Sequence, residues 1–349
     1  MTEDEAFLER MRVELQELEE YTSASKGLVH RFHEAADTFP GGYAVVLAAL
    51  DCARAGCKAP IPAGDLIALA REYLARLRPD EPVDDEELRA GVVWASSCGD
   101  QPLPLLITHD DGGHAYRVAS AISHDLAAGR PPVPPQTWEW LLANLPPERL
   151  LEVGSAASMA RNGDQQMAER AWTRALETGD ERVQVVASAC LGEMFAGQED
   201  DDAAIVALER ADSDLLRRSV RAMVMFNLGL LYDRRGNVNR ARGYYQRAID
   251  ANDLLATPRA GFNLGLLLGE LGDADGAEAA FAYAIEDTYY EDRAEAASAL
   301  ATIFKKLGQL DRARIYYERA IRIEDHFGDV TRKAVRALRH LDEQQRLAE

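Results

Sequence analysis

The stretch Phe226-Asn227-Leu228-Gly229-Leu230-Leu231-Tyr232 returns 36 residues later as Phe262-Asn263-Leu264-Gly265-Leu266-Leu267-Leu268. In both copies an alanine follows the glycine by 12 positions (Ala241, Ala277), a large ring comes 4 later (Tyr245, Phe281), and another alanine 3 after that (Ala248, Ala284). These positions extend into three ladders. Ala168, Ala204, Ala241, Ala277 and Ala313 form one; Trp172, Leu208, Tyr245, Phe281 and Tyr317 the second; Ala175, Ala211, Ala248, Ala284 and Ala320 the third. Successive members are 36, 37, 36 and 36 residues apart in each. One spacing kept by three ladders means stacked repeats, each unable to bury its apolar face alone. Such an array presents a long surface, usually a binding face rather than a reaction centre.

The spacing predicts two antiparallel helices per repeat. Gly229 with Ala241, and Gly265 with Ala277, let helix backbones approach, while Tyr245 and Phe281 fill the space toward the next repeat. Gly236, Gly272 and Gly308 fit the break between the helices. On these residues the chain resembles the tetratricopeptide repeat (TPR) family. Five repeats are assigned at 147–183, 184–220, 221–256, 257–292 and 293–327. The first is centred on Gly163, Ala168, Trp172 and Ala175 and matches only in its second helix; the last has Ala301 where the others have glycine. Residues 328–349 read as a capping helix, with Val335, Leu338 and Leu341 apolar and Arg332, Lys333, Arg336, Arg339 and Arg346 polar.

The resemblance implies a concave groove lined by first-helix residues, with Asn227 and Asn263 meeting the main chain of a protein or peptide ligand. An amide both donates and accepts, so it holds a peptide group without reading its side chain. Phe226, Leu230, Phe262 and Leu266 would add apolar contacts, and Asp233, Arg259, Glu270, Lys305 and Lys306 a charged rim. The plainer alternative is that the asparagines are consensus residues only and the phenylalanines pack between repeats. The carboxylate clamp of chaperone-binding relatives is not supported, since its basic positions fall on Glu295 and Ala299.

Ahead of the array, residues 1–40 read as an acidic amphipathic helical segment with Phe7, Met11, Leu15 and Leu18 on one stripe, ended by Gly41-Gly42. That stripe packs on its own chain or serves docking or dimerisation. Residues 43–130 read as helices over Tyr43–Ala55, Pro62–Leu77 and Asp84–Ser97. A hairpin follows, Leu105–Thr108 and Ala115–Val118 around Asp110-Asp111-Gly112-Gly113, then a helix from Ala119 to Ala128. Three helices and a hairpin suggest a winged-helix-like α+β domain, followed at 131–146 by a proline-rich linker and a short helix. The run Gly42 to Gly56, then Pro60-Ile61-Pro62 and Tyr73-Leu74, resembles the segment between ATPase and repeats in actinobacterial STAND-type signalling ATPases. The 34 arginines against 5 lysines suit a GC-rich genome. Yet no Gly-x-x-x-x-Gly-Lys-Ser/Thr loop occurs in the chain, so the ATPase itself is absent.

A net charge of −20 argues against wholesale binding to phosphate backbones. Residues 43–128 carry 13 Asp and Glu against 7 Lys and Arg, which disfavours a DNA-reading wing. Cys52, Cys57, Cys98 and Cys190 show no metal-type spacing and suit a reducing compartment. A start at Thr2-Glu3-Asp4-Glu5 and the lack of a membrane-length apolar run lead to the expectation of a cytoplasmic protein. His109 and His114, set to face each other across the hairpin with Asp110, Asp111 and His124 nearby, are the one candidate metal cluster, though tip residues are normally solvated. His30 and His33 lie on a helix without a motif.

The expectation is therefore a mostly α protein, a TPR-like α-solenoid behind an α-helical, winged-helix-like domain with one β-hairpin. Its expected function is that of a non-enzymatic scaffold or regulatory adaptor, without cofactor, nucleic acid or membrane, open to homodimerisation through the amino-terminal helix or the array. A peptide-responsive winged-helix transcription regulator is the alternative.

Overall fold

The computed structural model describes residues 25–101, 103–110, 114–127, 130–159, 164–323 and 328–348. The stripe Phe7, Met11, Leu15 and Leu18 and the hairpin tip 111–113 lie outside them. The chain divides into two compact units, Met1–Thr178 and Gly179–Glu349.

In the amino-terminal unit, helix α1 (25–38) stops at Phe39, whose φ of −149° leaves the helical region, and Pro40 opens α2 (Pro40–Arg54). Gly41 and Gly42, expected from the sequence to end the helical pattern, instead lie buried inside α2. The chain continues through β1 (Ile61–Pro62), α3 (Ala63–Leu77) and α4 (Asp85–Ser96), whose first turn is capped by Asp84 accepting from the Glu86 amide at 2.9 Å. A β-carbon on Gly41 would run into Glu87 and one on Gly42 into Trp94, while Gly91 faces the Gly41 backbone. Those glycines are there so that α2 and α4 can touch.

Strands β2 (Leu106–Asp110) and β3 (His114–Val118) form the expected hairpin, and α5 (Ser120–Ala127) follows. β1 adds a third antiparallel strand in the order β1-β3-β2. This strand is only two residues long, too short to leave an alternating pattern in the sequence. The register pairs His114 with Asp110 and His109 with Ala115, so the two histidines do not oppose one another. No group of three or more metal-ligating side chains occurs among the described residues.

The proline-rich stretch leads into α6 (Pro135–Asn144) and is tied down. Buried Tyr73 donates to Asp51 Oδ2 at 2.8 Å, which leaves the Thr137 hydroxyl, 3.0 Å away, to donate to the phenol oxygen. Arg54 donates to Asp51 Oδ1 at 2.5 Å and to the Pro131 carbonyl at 2.7 Å. Burial, then the Asp51 charge, pushes the Tyr73 phenol far above its ordinary range, so it stays a donor. After a short 3-10 turn (Pro147–Arg149), α7 (Leu150–Met159) and α8 (Gln165–Ala175) form the first helix pair. There Gly154 packs on the Trp172 indole. The helix-facing glycine of this pair is Gly154; Gly163, named from the sequence, lies outside the described residues. Gly163 falls instead on the sequence register of Gly236, Gly272 and Gly308.

The carboxy-terminal unit holds four further pairs. They are α9 (Glu181–Gly197) with α10 (Asp201–Ala211), α11 (Arg218–Arg234) with α12 (Val238–Asp250), α13 (Ala256–Glu270) with α14 (Ala274–Glu286), and α15 (Arg293–Lys306) with α16 (Leu310–Arg322). Helix α17 (Asp329–Ala348) closes the array. The boundaries drawn at 184 and 221 fall three residues inside α9 and α11.

Ladder residues Ala204, Leu208, Ala211, Ala241, Tyr245, Ala248, Ala277, Phe281, Ala284, Ala313 and Ala320 are completely buried in one continuous core. Each buried ring takes roughly 150–250 Å² out of water, on the order of 4–6 kcal/mol before chain entropy is charged against it. Gly192 packs on Leu208, Gly229 on Tyr245 and Gly265 on Phe281. Gly236, Gly272 and Gly308 take φ of 69°, 80° and 76°, and Glu199 holds the same position with φ of 63°.

A fourth ladder starts the second helices. Asp164, Asp200, Asn237 and Asp273 each accept from the amide three residues on, to satisfy an otherwise orphaned donor. The fifth member, Gln309, makes no such cap.

Candidate binding face

Helices α11, α13 and α15 carry the residues singled out from the sequence. Phe226 and Phe262 are half-buried. The Phe226 ring lies 6.3 Å from that of Tyr245, and Phe262 meets Phe281 edge-on at 5.6 Å. Their inner edges belong to the core, and their outer edges remain available. Leu230 and Leu266, one turn along, are half-buried too, as are Asn227 and Asn263. The Asn263 amide donates to the Arg259 carbonyl of its own helix at 2.9 Å, which leaves its oxygen to accept. Asn227 has no side-chain hydrogen-bond partner among the described residues.

The charged rim is uneven. Arg259 and Lys306 are exposed and Lys305 half-buried. Tyr290 lies within electrostatic reach of Arg259; burial, reinforced by Asp292, pushes its phenol to about 12 although Arg259 pulls the other way. Asp233 accepts from the Tyr245 hydroxyl at 3.3 Å and is thereby joined to the core. At the same place in the last pair, the Tyr317 hydroxyl meets Thr302 at 3.1 Å.

Two members of this face went unread in the sequence. Cys190 stands 37 residues before Asn227, and Glu193 stands 37 before Leu230, so the first helix of the preceding pair places a thiol and a carboxylate on the same register. Burial, with the Glu193 charge second, pushes the Cys190 thiol up to about 11, which keeps it protonated and unreactive. Burial also raises the Glu193 carboxyl above the ordinary range. Carrying the asparagine register back by one repeat would have found both.

Neighbouring second helices are braced by charge. Arg247 pairs with Asp212 at 2.7 Å and Arg240 with Glu209 at 2.8 Å while lying 4.9 Å over the Tyr232 ring. These contacts join α12 to α10 and its C-terminal end, beside the helix that carries Asn227. Such exposed pairs contribute geometry more than stability. Among the described residues no helix is long and apolar enough to cross a membrane.

Two stretches match family models for the tetratricopeptide repeat, residues 224–257 and 294–326, which are the α11–α12 and α15–α16 pairs. The carboxy-terminal part of this chain carries tetratricopeptide repeats, which serve in general as protein-interaction modules. Among curated proteins none matches. Among solved structures, the chain is similar to the MamA protein, at 22% identity over 50% of this chain and 90% of that one, with a TM-score of 0.43. It is similar also to YrrB, described as a TPR protein with an unusual peptide-binding site, at 20% identity over 57% and 96%, TM-score 0.45. BtubC from P. vanneervenii aligns at 20% identity over 54% and 81%, TM-score 0.41.

Proposed function

We propose that this chain is a non-enzymatic scaffold or regulatory adaptor that holds an extended segment of a partner protein along α11 and α13. The observation that carries this reading is the repeated set of half-buried Phe226, Asn227 and Leu230 and, 36 residues on, Phe262, Asn263 and Leu266. Each set offers an apolar edge beside an amide able to hold main-chain groups, so one strand of peptide can be gripped twice without demanding a particular sequence between the grips. Lys305, Lys306 and Arg259 would orient the acidic or carboxyl end of that strand. Selection of peptides from a random display library on the full chain tests the idea. Binders should be recovered, and Phe226→Ser with Phe262→Ser should lose them; recovery of the same peptides by the double variant removes this face from consideration.

A second reading rests on the order α2, β1, α3, α4, β2, β3 with the sheet order β1-β3-β2, an arrangement of helices and hairpin suited to a winged helix. In a winged-helix regulator α4 would enter the major groove by its amino-terminal end. Here that end is Asp84-Asp85-Glu86-Glu87, which repels phosphate, and the exposed Val93 on the outer face suits a protein contact. The module is better read as a docking or relay element. A mobility shift with mixed duplex DNA at low salt, where even non-specific binding shows, would restore the regulator reading.

A further inference from the structure

Residues 305–341 hold ten Lys and Arg against five Asp and Glu, a basic region at one end of a chain of net charge −20. The surplus is most exposed on α17. Ala334 and Leu341 are completely buried in the core of the carboxy-terminal unit, while Arg332, Lys333, Arg336 and Arg339 are exposed. Arg332, Arg336 and Arg339 stand at i, i+4 and i+7, along one face of the helix. Arg332 is paired with Asp329 one turn away. Lys333, Arg336 and Arg339 have no acidic partner among the described residues, whereas Arg234, Arg240, Arg247, Arg312 and Arg319 of the same unit each hold one. A helical array needs a polar end cap for solubility, but that need does not choose the sign. On an acidic chain these cations lower the net charge, which works against solubility.

We propose that this face of α17 docks a short acidic stretch of a partner polypeptide. Guanidinium groups take carboxylates in paired hydrogen bonds, so Arg336 and Arg339 can each receive one, with Lys333 beside them and Arg332 shared with the exposed Asp329. From Arg332 to Arg339 the helix rises about 10 Å, the reach of about three residues of extended chain. A few acidic side chains would cover the row. A long polyanion is a poorer fit, because beyond this patch it would run onto the acidic remainder of the molecule. Single exposed ion pairs contribute little, so binding requires several together and falls steeply with salt.

The full chain is titrated into a fluorescein-labelled octaglutamate peptide and followed by anisotropy. Binding should appear at about 20 mM salt and fade at about 200 mM, as screening dictates. R332E/R336E/R339E should weaken it by at least about tenfold, R332Q/R336Q/R339Q by less, and R242E, on the exposed face of α12, not at all. If the glutamate triple variant fails to fold, the glutamine triple variant decides. The proposal is overturned if the glutamine triple variant binds as the parent does, if R242E loses as much as the α17 variants, or if duplex DNA or phosphatidylserine vesicles bind this face more tightly than the peptide.

Discussion

A β-carbon on Gly229 would stand 2.5 Å from Cδ1 of Tyr245, so α11 lies where it does because residue 229 has no side chain. The same glycine sits between Asn227 and Leu230 on the helix that presents the candidate face. Packing of the core and placement of the face are therefore one event. The relation recurs between Gly265 and Phe281, and in the preceding pairs between Gly192 and Leu208 and between Gly154 and Trp172.

Gly229→Ala should destabilise the protein by about 1–3 kcal/mol, since a ring body cannot yield as a flexible chain end does. Gly243, in the middle of α12, meets nothing within 4 Å. Gly243→Ala should stabilise by about 0.5–1 kcal/mol through helix propensity and the loss of unfolded-state freedom. Urea melts of the two variants should therefore move in opposite directions; a common direction would refute the assigned packing.

Glu199 and Gly236 occupy the same left-handed turn position, with φ of 63° and 69°. A side chain there costs about 1 kcal/mol. Gly236→Ala should lower the melting temperature and Glu199→Gly should raise it. No gain from Glu199→Gly would mean that the turn before α10 is not strained by its glutamate.

The repeat array was legible in the sequence because one geometric constraint, the close crossing of paired helices, is imposed at fixed spacing and selects small residues each time. Where the chain departs from periodicity, legibility fails. Gly154 stands 14 residues before Ala168, not the 12 that separate Gly192 from Ala204, so the first helix of that repeat shows no match at the common spacing. Gly41 and Gly42 look like breakers until the Glu87 and Trp94 side chains that exclude a β-carbon are known. The two-residue β1 and the Asp51–Tyr73–Thr137 chain depend on partners tens of residues away, which no local pattern encodes. The candidate face was read in its asparagines and phenylalanines, whereas Glu193 and Cys190 were hidden because they break the residue type while keeping the register.

Glu193 offers a test by pH. Burial raises its folded-state pKa above the unfolded value, so the neutral form is favoured on folding. The associated stability is fully present below the ordinary glutamate pKa and is lost as pH rises through the folded value. Glu193→Gln should then raise the melting temperature at neutral pH, modestly because the side chain keeps contact with solvent, with the difference vanishing in acid. A difference that grows toward acid pH would contradict the assigned shift.

Tyr73→Phe removes the donor to Asp51 and the acceptor for Thr137 in a buried setting. Leaving such groups unpaired costs about 1–3 kcal/mol. Asp51→Asn should be tolerated less well, because one amide oxygen is left for two donors, so either Arg54 or the phenol faces an N–H, and Arg54 loses its countercharge besides. Denaturation followed by tryptophan fluorescence should rank the variants in that order, and a silent Tyr73→Phe would show the network to be dispensable.

The two asparagines of the candidate face should differ in a way their shared motif hides. Asn263 already donates one of its two amide N–H groups to the Arg259 carbonyl, so a bound peptide can use its oxygen and one remaining N–H, with the side chain held in that orientation. Asn227 has both ends uncommitted. Neither substitution to alanine removes a buried partner, so each should leave the melt within about 0.5 kcal/mol of the parent. Against a peptide selected on the full chain, Asn227→Ala should weaken binding by about 1–2 kcal/mol, near a tenfold rise in Kd or more, because a desolvated main-chain group loses its partner. Asn263→Ala should cost less, and the two losses should add, since the residues stand a whole repeat apart. Anisotropy titrations of the single and double variants give both quantities. A stable double variant that binds as the parent does would move the binding site away from α11 and α13, and an early-melting one would show the asparagines to be structural.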